Sequence, residues 1–342
     1  MKKQKLNFIY FCVLHFFIWS FSASAYEYNH GSYGIKLAGY GTIGAIEPDF
    51  DKPVFIGDWR LRGQMNYSFA SNKTFGLVYA IDELANYQNK FARDAFLFVE
   101  NSGLGRAEAG FTDSVATKLG IGLPDVGGLR INDNPLFYKK TSYDVPVISN
   151  TTAASGRYYP RLNIVSAPSH PWQFGASVAG LSSDYKYAAD FGVKYRKPEG
   201  KTKTTFSAGM SFIDSPENFQ TDVFAPPVRA ASRMQLSAGM NLQYNSWLFG
   251  VSARAIYDYK PVGMPADGVI AGAGVSYDLL KYSLSASYML SDIGVWNDAK
   301  DNIEHTGLLS FRYKYSKEAS VWISTGIGAG TPFVSAGLKF EF

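Results

Sequence analysis

Hydrophobic and polar residues alternate one by one along most of the chain, a pattern typical of β-strands that have one apolar face and one polar face. In 57–69, for example, Leu61, Met65 and Tyr67 fall on one face, whereas Arg60 and Arg62 fall on the other. The pattern predicts no helix of note. It predicts sixteen strands, at 32–44, 57–69, 74–82, 93–100, 104–112, 157–167, 171–181, 186–197, 202–214, 232–244, 247–259, 268–278, 281–291, 304–315, 319–328 and 333–342.

The connections between these strands alternate in length. Tight turns such as Asn245-Ser246 follow every second strand, and the intervening connections are mostly long, the longest being 113–156 with 44 residues. An antiparallel meander with short turns at one end and long loops at the other is the topology of a transmembrane β-barrel. Strands of this length, tilted by about 45°, are able to cross a bilayer. The predicted fold is therefore an all-β, multi-pass transmembrane barrel of 16 strands.

Aromatic residues flank the tight turns on the apolar face, where amphipathic rings favour a membrane interface. This predicted aromatic girdle comprises Phe69, Phe75, Trp172, Tyr195, Tyr244, Trp247, Tyr282 and Tyr315. A soluble two-sheet sandwich or a lipocalin-like barrel would also show alternation. The rings at the rims and the polar character of the other face favour the membrane barrel.

The composition of the 342 residues agrees with this interpretation. Only 18% of the residues are charged and 16% are aromatic, whereas soluble domains carry about 25% charged residues. After residue 25 no apolar run approaches the roughly 18 to 20 residues that a transmembrane helix needs. These values exclude an ordinary soluble enzyme and a helical membrane protein.

Residues 1–25 are predicted to form a secretory signal peptide, and 26–342 the barrel. Three lysines precede the apolar segment 6–21, and Ala23-Ser24-Ala25 forms a small-residue cleavage site. A membrane anchor is the alternative, but the apolar segment is short. Without its three lysines the chain has 30 basic and 29 acidic residues, so the charge provides no argument for a nucleic-acid partner. The single cysteine, Cys12, also lies in the leader.

Several short motifs resemble those of the Gram-negative general porins. They are the C-terminal strand ending in Phe340-Glu341-Phe342, Arg93-Asp94-Ala95-Phe96 followed by Gly103-Leu104-Gly105, Leu123-Pro124-Asp125-Val126-Gly127-Gly128 in the long loop, and the strand 157–168 after that loop. The family usually has acidic residues where this chain has Ile121 and Leu129.

The resemblance implies that the loop 113–156 folds into the barrel and narrows it. It also implies a homotrimer in the outer membrane of a Gram-negative bacterium, in contact with lipid and lipopolysaccharide. Phe340 and Phe342 would form the signal that the barrel assembly machinery recognises. The implied function is passive diffusion of small hydrophilic solutes and ions through a channel that needs no cofactor and no metal.

Opposed charges on the loop and the wall are candidates for an electrostatic filter at the constriction. The basic candidates on the wall are Arg60, Arg62, Arg93, Arg157 and Arg161, and the acidic candidates on the loop are Asp113, Asp125 and Asp133. The resemblance implies that Arg93, Arg157 and one of Arg60 or Arg62 face Asp125. The simpler alternative is that these arginines are solvated lining of a wide pore.

Two other functions remain open. A channel specific for a sugar or an anion could use an aromatic row formed by Phe137, Tyr138, Tyr143, Tyr158 and Tyr159. A barrel hydrolase would need a base beside a nucleophile, and His305 near Thr306, with Asp301 or Glu304, is the candidate. Because no metal-binding or phosphate-binding spacing occurs, we expect the protein not to be an enzyme.

Overall fold

The computed structural model describes residues 26–48, 54–85, 91–127, 160–168, 170–180, 187–197, 200–214, 232–258, 268–293, 303–328 and 331–341. The predicted signal peptide at 1–25 and the candidate residues Asp133, Arg157 and Phe342 lie outside these ranges. The side chain of Arg93 also lies outside the described part, although its backbone belongs to a strand.

The described residues form seventeen strands and one short helix. The strands are β1 (Tyr26–His30), β2 (Tyr33–Pro48), β3 (Val54–Ala70), β4 (Lys73–Ala85), β5 (Phe91–Asn101), β6 (Gly105–Phe111), β7 (Pro160–Ser166), β8 (Trp172–Gly180), β9 (Tyr187–Lys197), β10 (Thr202–Asp214), β11 (Ser232–Tyr244), β12 (Trp247–Asp258), β13 (Gly268–Leu279), β14 (Tyr282–Ile293), β15 (Ile303–Lys314), β16 (Ala319–Gly328) and β17 (Thr331–Glu341). The helix α1 (Val115–Leu119) follows β6.

Strands β2 to β17 form a closed antiparallel barrel. Each strand pairs with the next along the chain, and β17 pairs back with β2. These sixteen strands correspond one to one to the sixteen that the sequence predicts, so the predicted fold is confirmed. Closure leaves no open sheet edge around this ring, as required of strands that lie in lipid.

The additional strand β1 was not predicted, because five residues containing Glu27 and Asn29 give too short a pattern. It pairs with the start of β2, from Tyr26 opposite Leu37 to His30 opposite Tyr33. Strand β17 pairs with the remainder of β2, beginning at Tyr40. Strands β1 and β17 therefore lie one after the other along the same edge of β2.

Side chains alternate between the two sides of the barrel wall. In β14, Leu284 and Tyr288 are exposed on the outer face, whereas Ser283, Ser285 and Ser287 are buried on the inner face. Exposed leucine, valine and aromatic side chains continue this outer belt on the neighbouring strands. An apolar exterior combined with a polar interior is the arrangement that a membrane barrel requires. No helix in the described part of the chain is long and apolar enough to span a membrane.

The described first part of the long loop, 113–127, lies inside the barrel against its wall. Glycines on successive strands make room for it. A Cβ atom at Gly175 of β8 would overlap Val115, and a Cβ at Gly239 of β11 would lie 2.8 Å from the carbonyl oxygen of Ile121. Further along, the Val126 N–H donates to the Ser285 hydroxyl of β14 at 3.0 Å. The loop thus crosses the inner wall from β8 to β14.

Candidate functional site

A charged cavity of about 480 Å³ lies between the start of the loop and the inner wall, and we call it the basic cavity. Asn101, the last residue of β5, and Pro168, in the turn after β7, are part of its lining, which places it towards the end of the barrel that has the tight turns. Its basic residues are Arg60, Arg62, Arg106, Lys118, Lys194 and Arg196, and its acidic residues are Asp94, Glu100, Glu108 and Asp113. Of the predicted constriction residues, the structure brings Arg60, Arg62 and Asp113 together here.

Arg60 forms an ion pair across the inner wall. Its Nη2 atom lies 2.5 Å from Oδ2 of Asp94, which is buried on β5. Between these two strands β4 places Ala80, whose small side chain is fully buried, so that Arg60 is able to reach across it. Arg62 lies two residues further along β3 and lines the same cavity.

Arg106 is a cavity residue that the sequence-based reasoning missed. Its guanidinium carbon lies 3.8 Å from the centroid of the Phe98 ring and 5.6 Å from that of Phe96, both buried on β5. The same guanidinium contacts Glu108 at 3.0 Å and Glu100 at 3.3 Å. The alternation in β6 places Arg106 and Glu108 on the same face of the strand. This shared face was the sequence feature that could have identified Arg106 as an inward residue.

Lys118 joins α1 to the wall. Its ammonium group contacts the buried carboxylate of Glu108 and lies 2.7 Å from the Thr112 hydroxyl. Asn163 of β7 donates to the same carboxylate at 3.0 Å and to the Asp113 carbonyl oxygen at 2.9 Å. Burial lowers the pKa of Lys118 below the ordinary lysine value, and the Glu108 charge opposes this effect.

Arg161 does not line the channel, contrary to the sequence-based expectation. Its side chain and that of Asp190 have no exposed surface, and Nη1 of Arg161 lies 3.4 Å from Oδ2 of Asp190. Ser177 donates to the same carboxylate at 2.9 Å and accepts from the Val115 N–H at the start of α1 at 3.3 Å. The helix packs on this part of the wall and excludes solvent, so Arg161 helps to hold the loop in place.

Asp125 lies away from the basic cavity. Its Oδ1 atom accepts from the Gly127 N–H at 2.8 Å and lies 3.5 Å from the Ser285 hydroxyl. Ser285 is on β14, whereas Arg60 and Arg62 are on β3. The structure therefore places the motif acid against a different part of the wall from these two arginines.

The predicted girdle residues lie at the tight-turn end of the barrel. The exposed members are Phe69, Phe75, Trp172, Tyr244, Trp247, Tyr282 and Tyr315. Tyr195 is half-buried, and its ring centroid lies 4.7 Å from that of Trp172. Tyr277 and Tyr313 extend this row, since Tyr277 packs on Trp247 at 4.6 Å and Tyr313 on Tyr282 at 5.1 Å.

Phe340, part of the predicted assembly signal, falls on the outer face by the alternation along β17. Nevertheless, only 6% of its surface is exposed. It is paired with Gly41 of β2, where no side chain competes with the ring for space.

His305, the candidate base of a hydrolase, lies on the outer face of the barrel. Its Nδ1 atom is 2.5 Å from the hydroxyl of Tyr288, which is exposed on that face. Asp301, the Glu304 side chain and the five aromatic residues of the predicted row lie outside the described part. Within the described ranges, no three His, Cys, Asp or Glu residues are grouped as a metal site would require.

Comparisons with known proteins show a shared fold. No family model and no curated protein sequence matches the chain. Among solved structures, a loop L8 deletion mutant of OmpT, an outer membrane protein of Vibrio cholerae, superposes with a TM-score of 0.67 at 12% identity, covering 91% of this chain and all of that one. A porin refined at 1.8 Å resolution gives a TM-score of 0.60 at 16% identity and covers 90% of this chain and all of its own. A mutant of the Rh. blastica porin gives 0.58 at 12% identity, with the same coverage. At these identities the likeness is one of fold.

Proposed function

We propose that the protein is a porin, a water-filled channel through which small hydrophilic solutes and ions diffuse across the outer membrane of a Gram-negative bacterium. The observation that carries this proposal is the closed sixteen-stranded barrel with an apolar exterior, a polar inner wall and a loop folded inside. A barrel of this size is wide enough to leave an aqueous channel. The shared fold with a solved porin agrees with the proposal.

The filter of this channel would be electrostatic. Arg60, Arg62 and Asp113 supply charges at the basic cavity, and we retain Arg93, Arg157, Asp125 and Asp133 as further candidates from the sequence. Fixed charges that face a narrow aqueous passage select solutes by charge as well as by size. No enzymatic activity, cofactor or metal forms part of the proposal.

Residues 1–25 would direct export and then be removed. In the outer membrane, the exposed apolar belt would contact lipid, the aromatic girdle would lie at the membrane interface, and lipopolysaccharide would surround the barrel in the outer leaflet. Phe340 and Phe342 would serve recognition by the barrel assembly machinery. The proposed assembly is a homotrimer, as in one OmpT structure described as a trimer form. The mass of the unheated protein on a native gel tests the trimer.

Reconstitution tests the channel function. The folded protein is expected to produce stepwise conductance in planar bilayers and to let neutral sugars enter liposomes with a smooth decline in rate as sugar size increases. Liposomes prepared with heat-unfolded protein provide the control. Saturable entry of a single solute would replace this proposal with a specific channel. The absence of any conductance or swelling by protein shown to be folded would overturn it.

The candidate filter has its own test, which measures conductance and ion selectivity of Asp125→Asn and Arg93→Ala. A change in either property is expected in both variants. Unchanged values in both would remove these two residues from the filter while leaving the channel function intact.

A further inference from the structure

Three of the acidic residues that line the basic cavity form ion pairs with neighbouring cations. Asp94 pairs with Arg60, and Glu108 contacts both Arg106 and Lys118. Glu100 also contacts Arg106, at 3.3 Å. The carboxylates of the wall are thus largely neutralised by arginine and lysine side chains that are fixed in the same lining.

Three cations of the lining have no such partner. Within the described part of the chain, the side chains of Arg62, Lys194 and Arg196 make no ion pair or hydrogen bond. Arg62 and Lys194 are half-buried, so solvent screens their charges less than it would at an open surface. Arg62 feels the opposite charges of Asp94 and Glu108 as well as the like charges of Arg60 and Arg106, whereas Lys194 feels the like charge of Arg196. Because Asp94 and Glu108 are already paired with Arg60, Arg106 and Lys118, positive charge remains in excess at both places and favours an anionic ligand.

The two groups of cations approach the cavity from different parts of the wall. Arg62 projects from β3, whereas Lys194 and Arg196 project from β9, six strands further around the barrel. Gln173 and Ser166 add neutral polar groups to the same lining. A ligand that contacts both groups at once would meet positive charge at each end and the polar side chains of Gln173 and Ser166 between them.

We propose that the basic cavity binds small solutes that carry two separated phosphate groups, such as sugar bisphosphates. Arg62 receives one phosphate, and Lys194 with Arg196 receives the other. Arginine binds phosphate oxygens with two parallel donors, and lysine binds them as a point charge. The cavity of about 480 Å³ falls within the range of about 300–1,000 Å³ that is usual for small-molecule sites. The proposal rests on the channel function proposed above and assigns it a preferred class of solute.

The test is block of single-channel potassium chloride current by fructose 1,6-bisphosphate, with fructose 6-phosphate and inorganic phosphate as comparison ligands. The bisphosphate is expected to interrupt the current saturably, at concentrations about tenfold below those of the two comparison ligands, because a second charge-assisted contact is formed. Arg62→Gln and Lys194→Gln are each expected to weaken the block about tenfold. Arg62→Lys keeps the charge and is expected to retain most of the block.

The matched control is Lys281→Gln, which removes one positive charge from an exposed turn outside the lining of the cavity. It is expected to leave the block unchanged. Equal block by bisphosphate and monophosphate, or block insensitive to both Arg62→Gln and Lys194→Gln, would overturn the site while the channel function stands. If folded protein forms no channels, the channel function fails. Calorimetric titration of the detergent-solubilised barrel with the bisphosphate then tests the site alone, and absence of binding there would reject it.

Discussion

Lys118 on the loop helix α1 and Glu108 on the wall strand β6 form an ion pair inside the barrel, with Thr112 and Asn163 as additional hydrogen-bond partners. A second anchor connects Val115 through Ser177 to the buried pair Asp190 and Arg161. Both ends of the short helix are thus fastened to the wall. The position of the loop inside the barrel depends on these contacts, and this dependence can be measured.

Lys118→Met is expected to lower the stability of the folded barrel and to increase fluctuations of the open-channel current. The substitution removes one of the two cationic partners of the buried Glu108 carboxylate, and Arg106 remains in contact with it at 3.0 Å. The cost is therefore expected to be smaller than the roughly 3–5 kcal/mol lost when a buried charge keeps no partner. Urea unfolding in lipid vesicles and current-noise analysis provide the measurements. The double variant Lys118→Met with Glu108→Gln removes both charges and is expected to recover part of the stability. If the single variant Lys118→Met has the unfolding free energy and the current noise of the wild type, Lys118 does not anchor the loop to the wall.

Gly175→Ala is expected to displace the start of the loop, because the added Cβ would overlap Val115. Overpacking of this kind typically costs about 1–3 kcal/mol. Gly180→Ala, in the same strand, is the control, since a Cβ there meets no atom within 4 Å. Unfolding free energy and single-channel conductance should change in the first variant only. Equal effects of the two substitutions would show that the loop does not press on Gly175.

Arg60→Gln and Asp94→Asn are expected to shift ion selectivity in opposite directions. The two charges lie 2.5 Å apart and compensate one another at the basic cavity. Asp94→Asn leaves Arg60 uncompensated and should favour anions, whereas Arg60→Gln leaves Asp94 uncompensated and should favour cations. Reversal potentials in a potassium chloride gradient measure the shift. Shifts of the same sign would show that the pair does not act on the permeating ions.

Trp247 and Tyr277 form a cross-strand aromatic pair at the rim, with ring centroids 4.6 Å apart. A double-mutant cycle of Trp247→Ala and Tyr277→Ala in lipid vesicles is expected to give a coupling energy of about 0.5–1.5 kcal/mol. Tyr277→Phe retains the ring and should preserve most of that coupling. A coupling energy indistinguishable from zero would mean that the two rings act independently.

The sequence was sufficient to predict the sixteen strands of the ring because each strand separates an apolar outer face from a polar inner face. That contrast produces a period of two, and residues such as Leu284 and Ser285 follow it closely. Strand β1 was too short to show the period. The alternation predicted only whether each side chain points to the inner or the outer face of the barrel wall. It did not distinguish an inward arginine that lines the basic cavity, such as Arg62, from one that the loop covers, such as Arg161.

The missed residues have a common cause. Glu108 and Arg106 become recognisable as a site only when α1 brings Lys118 to β6, a contact that depends on the path of the loop through the barrel. The same path carries Asp125 towards β14 and away from β3. The spacing of a motif along the chain does not define which strands its loop crosses, so the acid could be recognised but its wall neighbours could not.

The shared edge of β2 has a consequence for biogenesis. Strand β1, the first of the described strands, covers one part of this edge, and β17, the last of them, covers the other. The hairpin of β1 and β2 requires only residues 26–48, whereas the ring closes only when the eleven-residue strand β17 is in place. A chain that stops short of β17 therefore retains an unpaired β2 edge, the kind of edge on which other chains aggregate.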